Sequence, residues 1–307
     1  MKYFSKYFSI GVVVAFLVVI SCAKKDNAAK DSDTIIEGST SILVDETLLP
    51  IVEDQVSVFE NQYNATIHLI AESEKESVLD FSKEKAKIIV LPRTLNKNEE
   101  AFFKHKKIVP RTTAFAIDAL TFIKNKKSND TLINLEDVLS FIKGDNTNFK
   151  GLVFDNPNSS TVRYLCELAQ VDQLPTKGVF SFKTNNEVIK YVSENEGMIG
   201  VVGVNWIFQP NKQSAKYLEN INVLSVKSAK SSDYIYPSQE NIANRTYPLA
   251  RVLYIINCQG YEGLGMGFAS FIAGEIGQRI ILTSGLAPMR EPSRNIRIRN
   301  QIENVKK

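Results

Sequence analysis

Short β-branched runs alternate with helical periodicity along most of the chain. Residues 34–37, 65–70, 88–91, 116–122, 152–154 and 198–204 predict strands. Between the first two, Leu48, Val52, Val56 and Phe59 recur at helical spacing, and Val162, Leu165, Cys166 and Ala169 do so later. Each of these two helices begins just after a cluster of hydroxyl residues. The alternation is that of α/β units with mostly parallel sheets, and no internal repeat of short fixed period interrupts it.

The first residues follow a different pattern. Lys2 and Lys6 precede an apolar run from Ile10 to Ile20, and Ser21 precedes Cys22. The order is basic region, apolar region, small residue at a cleavage site. A membrane-spanning helix needs roughly 20 apolar residues, so the run is short for one. With a cysteine directly after the small residue, 1–21 resembles a bacterial lipoprotein signal, which implies lipidation of Cys22. A single N-terminal anchor with an incidental cysteine is the alternative. Residues 22–33 carry alternating charges and no aromatic or β-branched side chain, so they bury too little area to offset ordering and are expected to form a flexible tether. The compartment implied is extracytoplasmic, periplasm or cell surface. Disulfides are permitted there, yet Cys166 and Cys258 are expected to be buried and free.

Length and composition narrow the class. A chain of 307 residues has room for about two domains. At 44% hydrophobic and 23% charged it is ordinary for a packed globular protein. Its formal charge is +3, from 37 basic and 34 acidic residues, too small an excess for a protein that tracks phosphates along a nucleic acid. Two histidines and three cysteines supply metal chemistry poorly. His68 sits in an apolar strand and His105 in a basic patch, and no nucleophile with a partnering base stands out, so neither an enzyme nor a metal or other cofactor is expected. Gly263, Gly265 and Gly267 lack the GxGxxG spacing of a dinucleotide loop. Trp206 follows a glycine-rich strand end, near the cleft or in the core.

Two hydroxyl clusters carry the candidate chemistry. Gly38-Ser39-Thr40-Ser41 follows a predicted strand and is expected to open a helix, and Asn156-Pro157-Asn158-Ser159-Ser160-Thr161 repeats the arrangement later. A helix N-terminus presents unpaired N–H groups and partial positive charge, and Ser and Thr add donors, so each cluster suits an anion. Plain N-capping explains either one alone.

Taken together, the residues resemble the extracytoplasmic phosphate-binding proteins of ABC phosphate importers. The resemblance covers nearly the whole mature chain. It rests on Gly38-Ser39-Thr40-Ser41, on 92–99 after a strand, and on 116–120 followed by 135–138 and 142–144. It continues through Ser159-Ser160-Thr161, 197–203, 247–251 and the closing stretch 271–288. It implies an α/β, two-lobe type II periplasmic-binding fold with a ligand cleft between lobes. Lobe 1 would comprise 34–115 with 246–307 and lobe 2 would comprise 116–245. The crossing segments would lie near 113–116 and 247–249.

Matched residue by residue, the resemblance implies that Ser39, Thr40 and Ser41 form one anion loop and Ser159, Ser160 and Thr161 the other. Three positions depart from the family pattern. Ser160 replaces a usual glycine, Asp155 stands where an arginine is common, and Pro92, beside Arg93, stands where an aspartate commonly accepts the proton of hydrogen phosphate. The expectation is an exchange of charges between lobes, with Arg93 as the cation and Asp155 as the proton acceptor. A surface ion pair for Arg93 and a turn-capping role for Asp155 are the alternatives. The function implied is a lipid-anchored, monomeric receptor that captures phosphate or a related oxyanion for an ABC permease. A surface or interaction lipoprotein that kept the fold and lost anion binding is the rival.

Overall fold

The structure, a computed structural model, describes residues 33–145, 149–229 and 232–293. The signal segment, Cys22 and all of the expected tether before Asp33 lie outside the described residues. Asp33 itself is tied down, its carboxylate accepting from the Leu264 amide at 2.7 Å.

The strands, in chain order, are β1 (Glu37–Asp45), β2 (Asn64–Glu72), β3 (Ile88–Leu91), β4 (Arg111–Asn125), β5 (Leu132–Asn134), β6 (Gly151–Phe154), β7 (Val179–Ser181), β8 (Met198–Gly203), β9 (Ile221–Val223), β10 (Ser225–Lys227), β11 (Ala250–Asn257) and β12 (Ala287–Pro288). The helices that frame the site are α1 (Leu49–Gln62), α2 (Glu74–Ser82), α3 (Lys97–His105), α4 (Leu135–Lys143), α5 (Ser160–Ala169) and α6 (Asn185–Glu194). Further on come α7 (Asn205–Phe208), α8 (Ala215–Leu218), α9 (Gln239–Ala243), α10 (Leu264–Ala273) and α11 (Glu275–Thr283).

One sheet runs in the order β2-β1-β3-β11-β4-β8-β6-β7, with β12 and β9 also pairing with β4. The flanks are parallel: β1 pairs with β2 and β3, and β6 with β7 and β8. The middle is antiparallel, because β11 runs against both β3 and β4, and β4 runs against β8. The fold is therefore α/β as expected, but mixed where mostly parallel strands were predicted.

Strand β4 joins the flanks. Its residues Arg111 to Ala119 pair with β11, and from Leu120 to Lys124 it pairs with β8. The change of partner falls a few residues beyond the crossing expected at 113–116. At that point the Leu120 amide donates to the Leu249 carbonyl at 3.1 Å. β4 is apolar on both faces through its middle and its residues Phe115 to Ile123 are buried, as a strand covered on both sides requires.

The first strand departs from the prediction in position. Ile35 and Ile36 are exposed and precede β1, which starts at Glu37 and becomes fully buried only from Ile42 to Asp45. Packing beneath it centres on Phe59 of α1, whose ring meets Phe268 at 5.3 Å and Phe271 at 5.2 Å edge-on. The glycines before and within α10 have a packing cause. A Cβ on Gly267 would lie 1.6 Å from the Ile35 carbonyl oxygen, and one on Gly265 would lie 2.3 Å from Ile88 Cδ1. Cys166 and Cys258 are buried and free.

Candidate functional site

Parallel strands expose their carboxyl ends to whatever lies between flanks, and ligands of open α/β sheets bind there. β1 ends at Asp45, and a single 3-10 turn, Glu46–Leu48, leads into α1. β6 ends at Phe154, and Asp155 to Ser159 lead into α5. Asn156 builds the second turn, its carboxamide oxygen accepting from the Asn158 amide at 2.9 Å and its carbonyl from the Ser159 amide at 2.8 Å. Ser159 is the N-cap of α5, with its Oγ 3.4 Å from the Val162 amide.

These two turns meet. The Thr47 hydroxyl lies 3.3 Å from both Asp45 Oδ1 and Asp155 Oδ2, so its one proton serves one carboxylate at a time. Ser159 Oγ donates to Asp155 Oδ1 at 2.5 Å. Asn185, at the start of α6, donates Nδ2 to Glu46 Oε2 at 2.8 Å and to Asp155 Oδ2 at 3.2 Å. The Thr47 carbonyl accepts from Trp206 Nε1 at 2.8 Å and Asn205 Nδ2 at 3.2 Å. Trp206 is thus a buried core residue that ties down the first turn.

The cation of this site is Arg251 on β11. It donates Nη2 to Asp118 Oδ2 at 2.7 Å and Nη1 to Ser160 Oγ at 3.2 Å. Arg251 and Asp118 stand directly opposite each other in the β11–β4 register, next to the change of partner in β4. Both side chains are fully enclosed.

Burial governs the carboxylates. It pushes the Asp45 carboxyl up to about 7, helped by the Glu74 and Asp155 charges and opposed by the Ser160 hydroxyl and Arg251. It raises Glu46 to about 8, against the hydrogen bonds of Asn185 and with the neighbouring Asp155 and Asp45 charges adding to it. Asp155 rises to about 6, held from going higher by Ser159, Thr47, Arg251 and Asn185. Several enclosed polar atoms have no partner, among them Asp45 Oδ2, Thr161 Oγ1, Asn185 Oδ1 and Arg251 Nε.

Beside this cluster a cleft of about 860 Å³ opens between α2 and α5, lined among others by Glu74, Arg93, Asn158, Ser159 and Arg163. Glu74, buried at the start of α2, accepts from Arg93 Nε at 2.6 Å and from Arg163 Nε of α5 at 2.8 Å. Arg93 also grips Glu99 with two nitrogens, at 2.8 and 3.0 Å. The Lys75 amide reaches the Asn158 carbonyl at 3.1 Å, a second tie between the two turns' surroundings.

Of the residues named from sequence, the structure brings together Asp155, Ser159, Ser160 and Thr161. Arg93 lies in the neighbouring cleft with its guanidinium engaged by Glu74 and Glu99. Ser39, Thr40 and Ser41 do not open a helix. They lie inside β1, paired in parallel with Thr66, Ile67 and His68. Strand rise places Ser39 roughly 20 Å from the carboxyl end at Asp45, six residues on. The loop in that position reads Asp45-Glu46-Thr47, which supplies two carboxylates and one hydroxyl where three hydroxyls were expected. Sequence reasoning missed Asp45, Glu46, Thr47, Asn185, Asn205 and the Asp118–Arg251 pair. Among the described residues no group of His, Cys, Asp and Glu is arranged to hold a metal ion.

Two parallel flanks bridged by long central strands, with polar turns converging at the carboxyl ends, define a solute-binding architecture. A family model for the PBP superfamily domain matches residues 27–275, and the chain belongs to that superfamily. The phosphate-binding protein PstS of Borreliella burgdorferi is 26% identical over 288 residues, covering 87% of this chain and 93% of that protein. A Clostridium perfringens protein described as a phosphate ABC transporter substrate-binding protein, solved with bound phosphate, superposes with a TM-score of 0.69 at 18% identity, over 82% of this chain and 100% of the other. An ABC-type phosphate transport receptor from Vibrio cholerae gives 0.61 at 18% identity, over 81% and 99%.

Proposed function

We propose that this chain is an extracytoplasmic solute-binding protein that captures phosphate, or a closely related oxyanion, and delivers it to an ABC permease without chemistry of its own. One observation carries the reading. The α5 N-terminus, with Ser159, Ser160 and Thr161, meets Thr47 and the Arg251 guanidinium at the carboxyl ends of β1 and β6, in a chain whose relatives are named for phosphate binding. Helix N–H groups, hydroxyls and one guanidinium are the donors an oxyanion uses. In this reading residues 34–115 with 246–307 and residues 116–245 act as two lobes, hinged where β4 changes partner. Lipidation of Cys22 and the tether to Asp33 hold the protein, as a monomer, at a membrane facing the periplasm or the exterior.

A second reading has a specific observation behind it. Asp45 and Asp155 already sit against Thr47, Ser159 and Ser160, so the chain's own carboxylates engage donors an anion would need. That favours a surface lipoprotein that keeps the fold and binds no anion. Isothermal titration of the full-length chain in detergent, stripped of anion by unfolding and refolding, separates the two. Phosphate binding with sulfate silent supports the receptor. Silence toward phosphate, sulfate, molybdate and arsenate from folded protein supports the rival.

A further inference from the structure

The buried cluster beside the cleft holds more carboxylates than the cations packed against it balance. Facing Asp45 are Glu46 on the same turn, Asp155 at the end of β6, Glu74 from α2 and Arg251 from β11. Glu74 is matched by Arg93 and Arg163, and Arg251 is matched by Asp118 on β4. Among the described residues that leaves Asp45, Glu46 and Asp155 without an ion-pair partner: their hydrogen-bond donors are the neutral Thr47, Ser159, Ser160 and Asn185, and Arg251, already held by Asp118, acts on Asp45 and Asp155 only at range. The cluster is also unfinished. Asp45 Oδ2, Thr161 Oγ1 and Arg251 Nε are buried without partners, one acceptor and two donors turned to no protein group.

An oxyanion entering here presents oxygens, as the carboxylates do. Two facing oxygens are held together only by a proton between them, whether it arrives on the ligand or sits on the carboxyl. An added negative charge among three buried carboxylates also raises the proton affinity of each, since like charges at close range in a poorly solvated site disfavour joint ionisation. Resting on the phosphate reading above, we propose that Asp45 sets the specificity of this cleft by carrying a proton when the oxyanion binds, so that capture is coupled to proton uptake. The protonated Asp45 hydroxyl then donates to a ligand oxygen and returns to an acceptor when the ligand leaves. This differs from a fixed carboxylate that only accepts the ligand's proton. Here the protein's own titration gates affinity, and a receptor of this kind fills best in acidic surroundings.

Thermodynamic linkage supplies the test. Titration of the full-length protein with inorganic phosphate, at about pH 5.5 and about pH 8.5 and in two buffers of different ionisation enthalpy, counts the protons taken up. Phosphate titrates in the same range, so the comparison is with Asp45→Asn, which keeps the shape and offers a permanent donor. The difference between the two proteins removes the ligand's own contribution. The expected result is about one more proton taken up per phosphate by the wild type than by the variant at about pH 8.5 and almost none at about pH 5.5, where the free protein already carries it, and an affinity that falls about ten-fold per pH unit more steeply above neutrality than in the variant. Glu46→Gln, tested alike, leaves the larger part of that difference in place. Equal proton counts and equal pH slopes in wild type and D45N would overturn the role of Asp45 while leaving phosphate capture standing. No binding by folded wild type and folded D45N at either pH would overturn the phosphate reading and the inference together.

Discussion

Removing the Arg251 guanidinium tests the centre of the site and the fold at once. The Arg251–Asp118 pair is 2.7 Å long, with side chains 1% and 0% exposed, between the central strands β4 and β11. Breaking such a pair from one side leaves a charge buried without a partner, at a cost of about 3 to 5 kcal/mol. Arg251→Met keeps most of the stem's volume and therefore isolates the charge. The cost is capped by Asp118 itself, because burial already raises its carboxyl despite Arg251, and once unpaired it takes up a proton instead of staying ionised. R251M is therefore expected to lose about 3 kcal/mol near neutral pH, and less in acid. Adding Asp118→Asn should recover part of the loss, giving a coupling of about 2 kcal/mol in a double-mutant cycle. Urea denaturation followed by the fluorescence of Trp206, the one tryptophan of the chain and a buried one, reads all four corners. A loss below about 1 kcal/mol in R251M, or single effects that simply add in the double mutant, would refute the placement of this pair as the site's buried charge balance.

Three other perturbations have clear directions. Because Asp45 has its carboxyl raised from 3.8 to about 7, the folded state keeps a proton that the unfolded chain has released; stability is highest below that window and falls as pH rises through it. The shift corresponds to roughly 4 kcal/mol at most, shared with the coupled Asp155 and Glu46, so urea midpoints should drop between about pH 4 and pH 8, with a shallower drop in D45N. Phe268→Ala removes a fully buried ring stacked edge-on against Phe59 and should cost about 3 to 5 kcal/mol by the same assay, whereas a loss near zero would contradict the packing under β1. Ser159→Ala removes the α5 cap and a hydrogen bond to Asp155; about 1 kcal/mol of stability should go, and the Asp155 carboxyl, followed by NMR titration, should move up and not down.

Local pattern revealed most of the scaffold. The apolar runs that became β2, β3, β6 and β8, and the helical spacing that became α1 and α5, needed only periodicity, because each element buries one face or both against its neighbours. The second turn was found for the same reason, since Asp155 to Thr161 follows a short buried strand directly. The first turn was misplaced because hydroxyl density drew the reading to Ser39, Thr40 and Ser41, which β1 absorbs as strand. The better signal was the place where the buried run from Ile42 to Val44 stops, since a parallel strand offers its carboxyl end, and that end is Asp45.

The charged pair at the centre left a fainter trace. Asp118 and Arg251 are 133 positions apart and meet only through the register of β4 and β11, which no local window contains. Each nonetheless stands alone among apolar neighbours, Asp118 between Ile117 and Ala119 and Arg251 just before Val252 and Leu253. A lone charge in a strand buried on both faces must find its opposite or lose its ionisation. Two strands that bury opposite charges therefore constrain each other's register, and the pair is met only with β11 beside β4. The three remaining carboxylates find no such opposite among the described residues. Among the described residues Asp45, Glu46 and Asp155 have no ion-pair partner, and the nearby Arg251 is already held by Asp118, so protons are what relieve their charge, and that shortage ties the pH response of the site to its architecture.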